Sequence, residues 1–384
     1  MLSYVSLYIH IPFCKRKCDY CDFLSFCEKD NLIPEYIKCL NYELKSVANN
    51  LKENDDDIMI KTIYIGGGTP SYINALYIQE LLETIRTRYS LTKNIEITIE
   101  INPGTVDENK LLLYKNSGIN RLSIGLQSTH NNLLKQIGRI HTYKEFEQAY
   151  NIVRNIGFDN INIDIIIGLP NQTIQDIGET INKLLKLNPE HISIYSLIVE
   201  ENTQLYNNIK QNVYVLPDEK LEREMYWLVK KRLEDNGYIH YEISNFAKPN
   251  FYSNHNISCW NQEEYFGFGV SSHSYVDNIR FSNINNIEEY INNCQLNKLE
   301  NNFVFHEKLD YMEKMKEHIL LGFRKLQGID KNCFEEQFKI DIYRIFSNEL
   351  KKLKEQNLVL DNNKFIKLTE KGIDLANLVF REFV

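Results

Sequence analysis

Three cysteines near the amino terminus, Cys14, Cys18 and Cys21, have the spacing of a metal-binding loop. Thiolate sulfur is the ligand that iron–sulfur clusters and zinc prefer, and most such sites use four protein ligands. Three thiols can hold three irons of a cubane cluster and leave the fourth iron open to another molecule. The alternatives are a structural zinc ion, which would need a fourth cysteine or histidine nearby, and reduced surface thiols. The spacing C-x3-C-x2-C favours the cluster.

The neighbouring residues supply charge but no obvious fourth ligand. Cys27 and Cys39 lie at unsuitable spacing, and His10 lies within a predicted strand. The basic segment 15–17, Lys-Arg-Lys, lies inside the loop. We expect its positive charge to offset the negative charge of a cluster and to lower the pKa of the thiols.

Six short runs rich in β-branched residues alternate with helix-length segments in the first part of the chain. The longer segments carry apolar residues at helical spacing, so the pattern predicts parallel βα units. Such units form a doubly wound sheet or a full or partial βα barrel, and in either fold the chemistry lies at the carboxyl ends of the strands. The predicted strands are 6–11, 62–65, 95–101, 121–126, 160–167 and 191–197.

Chemically unusual residues fall at the carboxyl ends of these predicted strands. The cysteine loop follows the first strand, and the glycine-rich turn 66–70 (GGGTP) follows the second. Glycine lets backbone N–H groups approach a bound molecule closely, because it has no side chain. Glu100 and Gln127 end the next two strands, and Asp164 lies within the apolar fifth strand, where a carboxylate is costly unless it is paired. We interpret this edge as the mouth of a binding site.

The pattern changes twice after residue 197. A long helix is predicted over 217–236, and the stretch 245–275 is rich in loops. Three helices, a hairpin and a last helix then follow, an order that resembles a winged-helix domain. We expect this tail to pack or to dock a partner rather than to bind DNA, because the chain is acidic. The predicted domains are 1–200, a βα barrel; 201–306, an extension of the barrel; and 307–384, the winged-helix-like domain.

The composition of the 384 residues is globular, with a net charge of −8. This charge argues against nucleic acid as a partner. The amino terminus has no secretory signal pattern, and no stretch approaches the ~20 apolar residues that span a bilayer, so we predict a cytoplasmic location. The eight cysteines are too sparse for a disulfide framework and predict reduced thiols.

The loop has the form C-x3-C-x-aromatic-C, with Tyr20 as the aromatic residue, and resembles the loop of the radical S-adenosylmethionine (SAM) enzymes. The resemblance extends over nearly the whole chain. It implies an α/β fold with a partial (βα)6 barrel and a C-terminal winged-helix-like domain. It also implies a [4Fe–4S] cluster on the three cysteines, with SAM chelating the open iron; in that family the reduced cluster cleaves SAM to a 5′-deoxyadenosyl radical.

The same resemblance implies ligand contacts outside the loop. Gln127, Arg139 and Asp164 correspond to positions that contact a second SAM molecule in the coproporphyrinogen oxidases of the family. Structural hydrogen bonding accounts for these three residues equally well, so a second SAM molecule does not follow. The positions that correspond to contacts with the first SAM molecule are Tyr8, Tyr20, Gly67, Gly68, Thr69 and Glu100.

The segment 255–260 (HNISCW) resembles the H-N-x-x-Y-W signature of a haem-chaperone branch of this family. It implies haem as a further ligand, with His255 as the axial ligand of the iron. A neutral imidazole beside apolar and aromatic residues suits that role. Cys259 stands where the signature has tyrosine, a departure that would alter the haem pocket. His273 is a second candidate ligand.

The resemblance favours the haem chaperones over the oxygen-independent coproporphyrinogen III oxidases. The oxidases have an amino-terminal extension, a fourth cysteine where this chain has Phe23, and no H-N-x-x-Y-W signature. The implied partners are haem and the membrane-bound respiratory haem proteins that receive it; a homodimer and peripheral membrane association are left open. The oxidase, which converts two propionate groups to vinyl groups in porphyrin biosynthesis, is the alternative. A DNA-binding regulator with a structural metal is a third interpretation, disfavoured by the acidic charge.

Overall fold

The strands follow the predicted runs and extend several of them. In the computed structural model, which describes residues 3–53 and 58–384, the third strand is longer than expected by five residues at its amino end. The strands are β1 (Ser3–Ile11), β2 (Ile58–Gly67), β3 (Ser90–Ile101), β4 (Arg121–Gln127), β5 (Ile161–Ile167), β6 (His191–Ser196), β7 (Ile239–Glu242), β8 (Asn245–Ala247), β9 (Tyr265–Phe268), β10 (His273–Val276), β11 (Ile279–Asn283), β12 (Phe303–Lys308), β13 (Ile329–Asp330), β14 (Val359–Asp361) and β15 (Phe365–Leu368).

The helices alternate with the first six strands and then become more frequent toward the carboxyl terminus. Among the helices of residues 3–53 and 58–384, none has the length and apolar character that crossing a membrane requires. They are α1 (Ile33–Glu53), α2 (Ala75–Arg88), α3 (Glu108–Asn116), α4 (Asn131–Gln136), α5 (Tyr143–Asn155), α6 (Ile174–Leu187), α7 (Gln204–Lys210), α8 (Glu219–Glu234), α9 (Asn254–Trp260), α10 (Ile287–Gln295), α11 (Tyr311–Gly322), α12 (Lys331–Phe338), α13 (Ile342–Glu355), α14 (Glu370–Asp374) and α15 (Ala376–Arg381).

The order of the strands decides between the two folds that the sequence left open. β1 to β6 lie side by side in chain order and are parallel. A doubly wound sheet reverses its strand order at a switch point, whereas here every crossover advances in one direction, as in a βα barrel. β9 pairs with the free edge of β1 and β8 with that of β6, so the six strands do not close on each other. The partial (βα)6 barrel is therefore confirmed.

The two faces of the barrel strands differ in polarity, as β5 illustrates. Ile163, Ile165 and Ile167 are fully buried on the face that packs against the helices. Asn162 and Asp164 alternate with them and therefore point into the barrel. A strand that reads as an apolar run thus still carries polar chemistry on its inner face.

The stretch 245–275 contains more regular structure than the sequence predicted, between loops at 248–253, 261–264 and 269–272. It contains β8, α9, β9 and most of β10, each only three to seven residues long. Elements this short contain too few residues to display a period of 2 or 3.6, so the sequence pattern does not distinguish them from loops. β9 to β12 extend one side of the barrel sheet, and β7 and β8 extend the other.

The tail has the element order of a winged-helix unit. α11 precedes β13, the pair α12 and α13 follows, and β14 and β15 form the hairpin of a three-stranded sheet. The predicted last helix is two short helices, α14 and α15. Asp374 of α14 accepts hydrogen bonds from Arg223 (2.7 Å) and Trp227 (2.9 Å), which attaches the tail to α8. The division of the chain into domains 1–200, 201–306 and 307–384 stays a prediction.

Candidate functional site

A cavity of about 540 Å³ opens where β1 to β6 end. Its volume is in the usual range for small-molecule sites. Cys14, Cys18 and Cys21 line it together with residues from later strands of the barrel. The predicted contacts that also line it are Tyr20, Gly67, Gly68, Thr69, Glu100, Gln127, Arg139 and Asp164.

Backbone hydrogen bonds hold the cysteine loop in shape. The N–H of Cys14 donates to Phe26 O at 3.0 Å, and the N–H of Asp19 donates to Ile137 O at 3.0 Å. The N–H of Leu205 donates to Asp19 O at 2.7 Å. The loop is therefore attached to the segment after α4 and to the first turn of α7. Throughout the described ranges, no set of three or more cysteine, histidine or acidic side chains converges on a point for a single metal ion.

Burial, rather than the basic segment 15–17, dominates the pKa values of the thiols. Burial raises the pKa of Cys14, and it raises the pKa of Cys21 to about 11 although Lys17 acts in the opposite direction. Lys17 therefore lowers the pKa of Cys21 as expected, but burial outweighs its effect and the pKa values of both thiols are raised. Lys17 is directed to the backbone, because its Nζ donates to Phe23 O at 3.0 Å. Binding of a metal here must release the thiol protons.

The glycine-rich turn packs directly against the cysteine loop. Gly67 has φ of +117°, which side chains other than glycine rarely adopt. A Cβ on Gly68 would lie 2.9 Å from Cys14 Sγ, so any side chain there would displace the thiol. The hydroxyl of Thr69 lies 3.4 Å from the same sulfur. Only glycine at these positions lets the second strand end beside the thiols.

Two carboxylates face the cavity from β3 and β5. Burial raises the pKa of Glu100 to about 7, while a hydrogen bond from the Tyr64 hydroxyl (2.8 Å) lowers it. Burial also raises the pKa of Asp164, which accepts hydrogen bonds from Ser123 (3.0 Å) and Asn162 (2.8 Å). Two paired carboxyl groups in a partly closed space suit a ligand that carries positive charge.

Arg139 and Gln127 complete the wall near the thiols. The Nη1 of Arg139 donates to Cys18 Sγ at 3.5 Å, and its Nη2 donates to Gly125 O. Gln127 has φ of +70°, and the pairing of β4 with β5 is irregular between Gly125 and Gln127. This local irregularity lies next to the candidate site, where such features often reorient a side chain.

Tyr64, rather than the predicted Tyr8, lies on the wall of the cavity. Tyr8 is not among the residues that line the cavity; its hydroxyl is 2.9 Å from His10 Nδ1. Its predicted contact with SAM stays a prediction. Tyr64 lines the cavity and was missed. Its position two residues before Gly66 on β2 was the available signal, because alternate strand residues share a face.

His255 lies at the opposite end of the barrel interior from the thiols. Its side chain is 7% exposed, and its Nδ1 is 2.8 Å from Thr62 Oγ1. Its ring stacks on Tyr64, with the centroids 5.0 Å apart. Burial lowers the pKa of His255 to about 3, so the imidazole is neutral at neutral pH.

Haem does not fit beside His255 in this arrangement. An axial ligand needs space for a flat macrocycle at one ring nitrogen, whereas here Thr62 contacts Nδ1, Tyr64 covers one face of the ring, and the side chain is buried. Burial also raises the pKa of Cys259, one turn further along α9, to about 11, so this thiol is protonated. His273 is exposed and stacks on His306, with the centroids 5.4 Å apart.

Comparison with known proteins assigns the chain to a family. Residues 8–184 match the Radical SAM superfamily, and residues 309–375 match the HemN C-terminal domain. The heme chaperone HemW of Bacillus subtilis (strain 168) is 36% identical over 382 residues, which cover 99% of each chain. This chain belongs to the HemW family, within the radical SAM superfamily. The heme chaperone HemW of Lactococcus lactis subsp. lactis (strain IL1403) is 35% identical over 379 residues, which cover 99% of this chain and 97% of the relative.

A solved structure supports the fold of this HemW-family chain. The structure of coproporphyrinogen III oxidase (HemN) from Escherichia coli, described as a radical SAM enzyme, matches with a TM-score of 0.84. The match covers 100% of this chain and 89% of that chain at 23% identity. It confirms the α/β fold with its C-terminal helical region, but at this identity it carries no information on activity.

Membership of the radical SAM superfamily implies SAM and a [4Fe–4S] cluster, and the cavity of this HemW-family chain fits both. The three thiols line the cavity beside the glycine-rich turn. A Cβ at Gly68 would lie 2.9 Å from Cys14 Sγ, so glycine is needed there. Glu100 and Asp164 supply carboxylates opposite a ligand whose sulfonium and amino groups are positive. The residues that would hold the cluster are Cys14, Cys18 and Cys21.

Proposed function

We propose that this chain is a haem chaperone that carries a [4Fe–4S] cluster on Cys14, Cys18 and Cys21 and binds SAM in the adjoining cavity. The observation that carries the proposal is 36% identity to a relative named heme chaperone HemW, over 99% of each chain. The three thiols on the wall of one cavity support the cluster part. When bound, the cluster would supply an open iron for SAM to chelate and an electron for the cleavage of SAM.

The cavity residues have separate roles in this proposal. Gly67 and Gly68 let the turn pack closely against His10 and Cys14, which keeps the SAM side of the cavity beside the thiols. Glu100 and Asp164 balance the positive charge of SAM. Tyr20 packs against the apolar cluster of Leu133, Ile137, Ile166 and Leu169 and supports one wall.

The haem part of the proposal rests on the relatives and on the signature in 255–260. His255 is the predicted axial ligand, and its neutral imidazole is in the required protonation state. Ligation would require α9 to leave the barrel interior. We propose delivery of haem to membrane-bound respiratory haem proteins from the cytoplasm, with peripheral contact at the membrane during transfer.

A second candidate function is the oxidative decarboxylation of coproporphyrinogen III. The rim of the cavity favours it: Phe23 is 66% exposed and Ile198 is 70% exposed, and both line the opening beside Arg16 and Lys17. Apolar surface with adjacent cations suits a tetrapyrrole that carries carboxylates. Phe23 in place of a fourth cysteine argues against this candidate.

A single preparation separates the two functions. We would reconstitute the protein anaerobically, titrate it with haem, and follow the Soret band. In parallel, coproporphyrinogen III, SAM and a strong reductant would be added and vinyl products measured. We expect saturable haem binding without vinyl products; conversion to protoporphyrinogen would contradict the chaperone function and support the oxidase.

The haem ligand is tested with three histidine variants. We expect His255→Ala to lose most of the Soret signal and His273→Ala to retain it. His240→Ala is the matched control, because His240 is also 7% exposed but lies on β7, away from the cavity. A Soret band unchanged in His255→Ala would remove this ligand assignment. Size-exclusion chromatography with and without haem tests the homodimer.

A further inference from the structure

A row of side-chain contacts joins the histidine signature to the thiol-lined cavity. We infer that Tyr64 is a positioning residue: His255 holds the ring of Tyr64, and the Tyr64 hydroxyl holds the carboxylate of Glu100 toward SAM. The inference depends on the proposed function only for the identity of the ligand in the cavity.

Two residues of β2 contact the His255 ring, one at Nδ1 and one on its face. Thr62 and Tyr64 are two residues apart, so they lie on the same face of the strand and both point into the barrel. Thr62 Oγ1 is 2.8 Å from His255 Nδ1, and the ring of Tyr64 stacks on the imidazole at an angle of 29°. The imidazole therefore covers one face of Tyr64 and limits its rotation.

Tyr64 carries this restraint to Glu100. Its hydroxyl donates to Oε1 of Glu100 at 2.8 Å, and both side chains line the cavity. They pack over Gly66, where a Cβ would lie 2.9 Å from the Tyr64 ring and 3.1 Å from Glu100 Oε1. Because the space is this tight, a rotation of Tyr64 would break the hydrogen bond and release the carboxylate.

β3 supplies a second attachment of α9 to the same pair of strands. Glu96 and Glu100 are four residues apart on β3 and share its inner face. Glu96 accepts hydrogen bonds from the backbone N–H groups of Asn254 (3.0 Å) and His255 (3.1 Å). The start of α9 is thus bound to β3 through its backbone and to β2 through its imidazole. In this arrangement His255 supports the cavity wall through Tyr64.

The charge around Glu100 gives the inference a distinctive readout. The Tyr64 hydrogen bond lowers the pKa of Glu100 against the effect of burial, so its loss would raise that pKa above its value of about 7. A residue that only fills space would not shift the pH dependence of SAM binding. The groups that face Glu100 are Tyr8 on β1, Tyr64 and the backbone N–H of Gly67 on β2, Asp164 on β5 and Tyr195 on β6.

The test measures SAM affinity by equilibrium dialysis of the reconstituted protein across a range of pH. We expect Tyr64→Phe to bind SAM roughly 10-fold more weakly, because it loses a hydrogen bond to a charged group, with the pH midpoint displaced upward. We expect His255→Ala to bind roughly 5-fold more weakly with unchanged iron content. The double variant should bind no more weakly than Tyr64→Phe, since His255 acts through Tyr64.

Two further variants keep the test decisive. Thr62→Val removes only the hydrogen bond to His255 and should weaken SAM binding about 2-fold. His240→Ala removes a histidine that stacks on Phe246, with the centroids 4.2 Å apart, and should leave SAM affinity unchanged. Equal SAM affinities in His255→Ala and His240→Ala, or additive losses in the double variant, would overturn the inference. If the haem titration shows no binding, the proposed chaperone function is contradicted, but the role of Tyr64 in SAM binding is not affected.

Discussion

Polar residues line an open cavity at one end of the barrel interior and are buried and hydrogen-bonded at the other. At the carboxyl end, Cys18, Glu100 and Arg139 line an open cavity. At the amino end, His255 and Glu96 are buried and paired with Thr62 and with the first N–H groups of α9. Both ends were predicted as ligand sites from short motifs. Residue type and spacing thus predict chemistry, whereas the position along the strands decides which residues have room for a ligand.

This difference agrees with the general behaviour of βα barrels. Their chemistry lies at the carboxyl ends of the strands, and polar residues at the amino ends contribute to stability. The open end should therefore respond to substitution through the content and potential of the cluster, and the paired end through stability and a smaller effect on SAM affinity that Tyr64 transmits. Four changes test this contrast.

The largest expected effect is the loss of the cluster in Cys18→Ala. Two thiols cannot hold the three irons that the loop is proposed to bind, so we expect iron and sulfide content to fall by about 90% after reconstitution. Cys27→Ala is a demanding control, because Cys27 lies close enough to contribute to the raised pKa of Cys14. Loss of iron in Cys27→Ala would show that the assigned trio of ligands is wrong.

Arg139→Gln should make the cluster harder to reduce. Arg139 places a positive charge and a hydrogen bond on Cys18 Sγ at 3.5 Å, and both stabilise the added electron. We expect the midpoint potential to fall by on the order of 100 mV, since a unit charge within several Å contributes a few kcal/mol at an effective dielectric constant of about 20. A redox titration followed by EPR measures the midpoint potential. An unchanged potential would show that Arg139 does not affect the reduction of the cluster.

Glu100→Gln should change how the stability of the cluster-free protein depends on pH. Burial raises the pKa of Glu100 from 4.5 to about 7, so the folded state holds this proton more strongly than the unfolded chain. The associated stability is present below the lower pKa and is lost as the pH rises through the higher one. Urea unfolding at several pH values should show the variant gaining stability relative to the wild type across this window. If the difference in unfolding free energy between the variant and the wild type is constant with pH, Glu100 is not a buried carboxyl with a raised pKa.

The smallest effect is expected at the paired end, in Thr62→Val. The variant keeps the shape of the side chain and loses the hydrogen bond to His255. We expect the free energy of unfolding to fall by about 1 kcal/mol, with cluster content unchanged. A loss of iron comparable to that of Cys18→Ala would remove the contrast between the two ends.

Much of the fold was predictable, because the barrel strands have strong local signals. β4 and β5 are apolar runs bounded by turns, and their positions were predicted within one residue. The choice between a doubly wound sheet and a barrel was not predictable from these runs, since it depends on which strands become neighbours. β8 to β10 were missed because each is four residues or fewer.

The candidate site was predictable where motifs end strands, and less so elsewhere. Gly68 and Glu100 follow from strand ends, but Tyr64 lies within β2 and no motif marks it. The burial of His255 depends on where α9 packs, and the signature itself contains no information on that contact. The pKa of Cys21 follows burial more than the charge of the Lys-Arg-Lys segment. The sequence shows which charges are nearby along the chain, but it does not show how deeply a side chain is buried.

The cysteine loop has a shape that the surrounding backbone maintains. Its hydrogen bonds run to Phe26, Ile137 and Leu205, and none of them requires iron. Assembly of the cluster would then need little ordering of the chain, because the conformational entropy of the loop is already lost on folding. We therefore expect the folded chain to accept iron and sulfide without a large rearrangement of the loop.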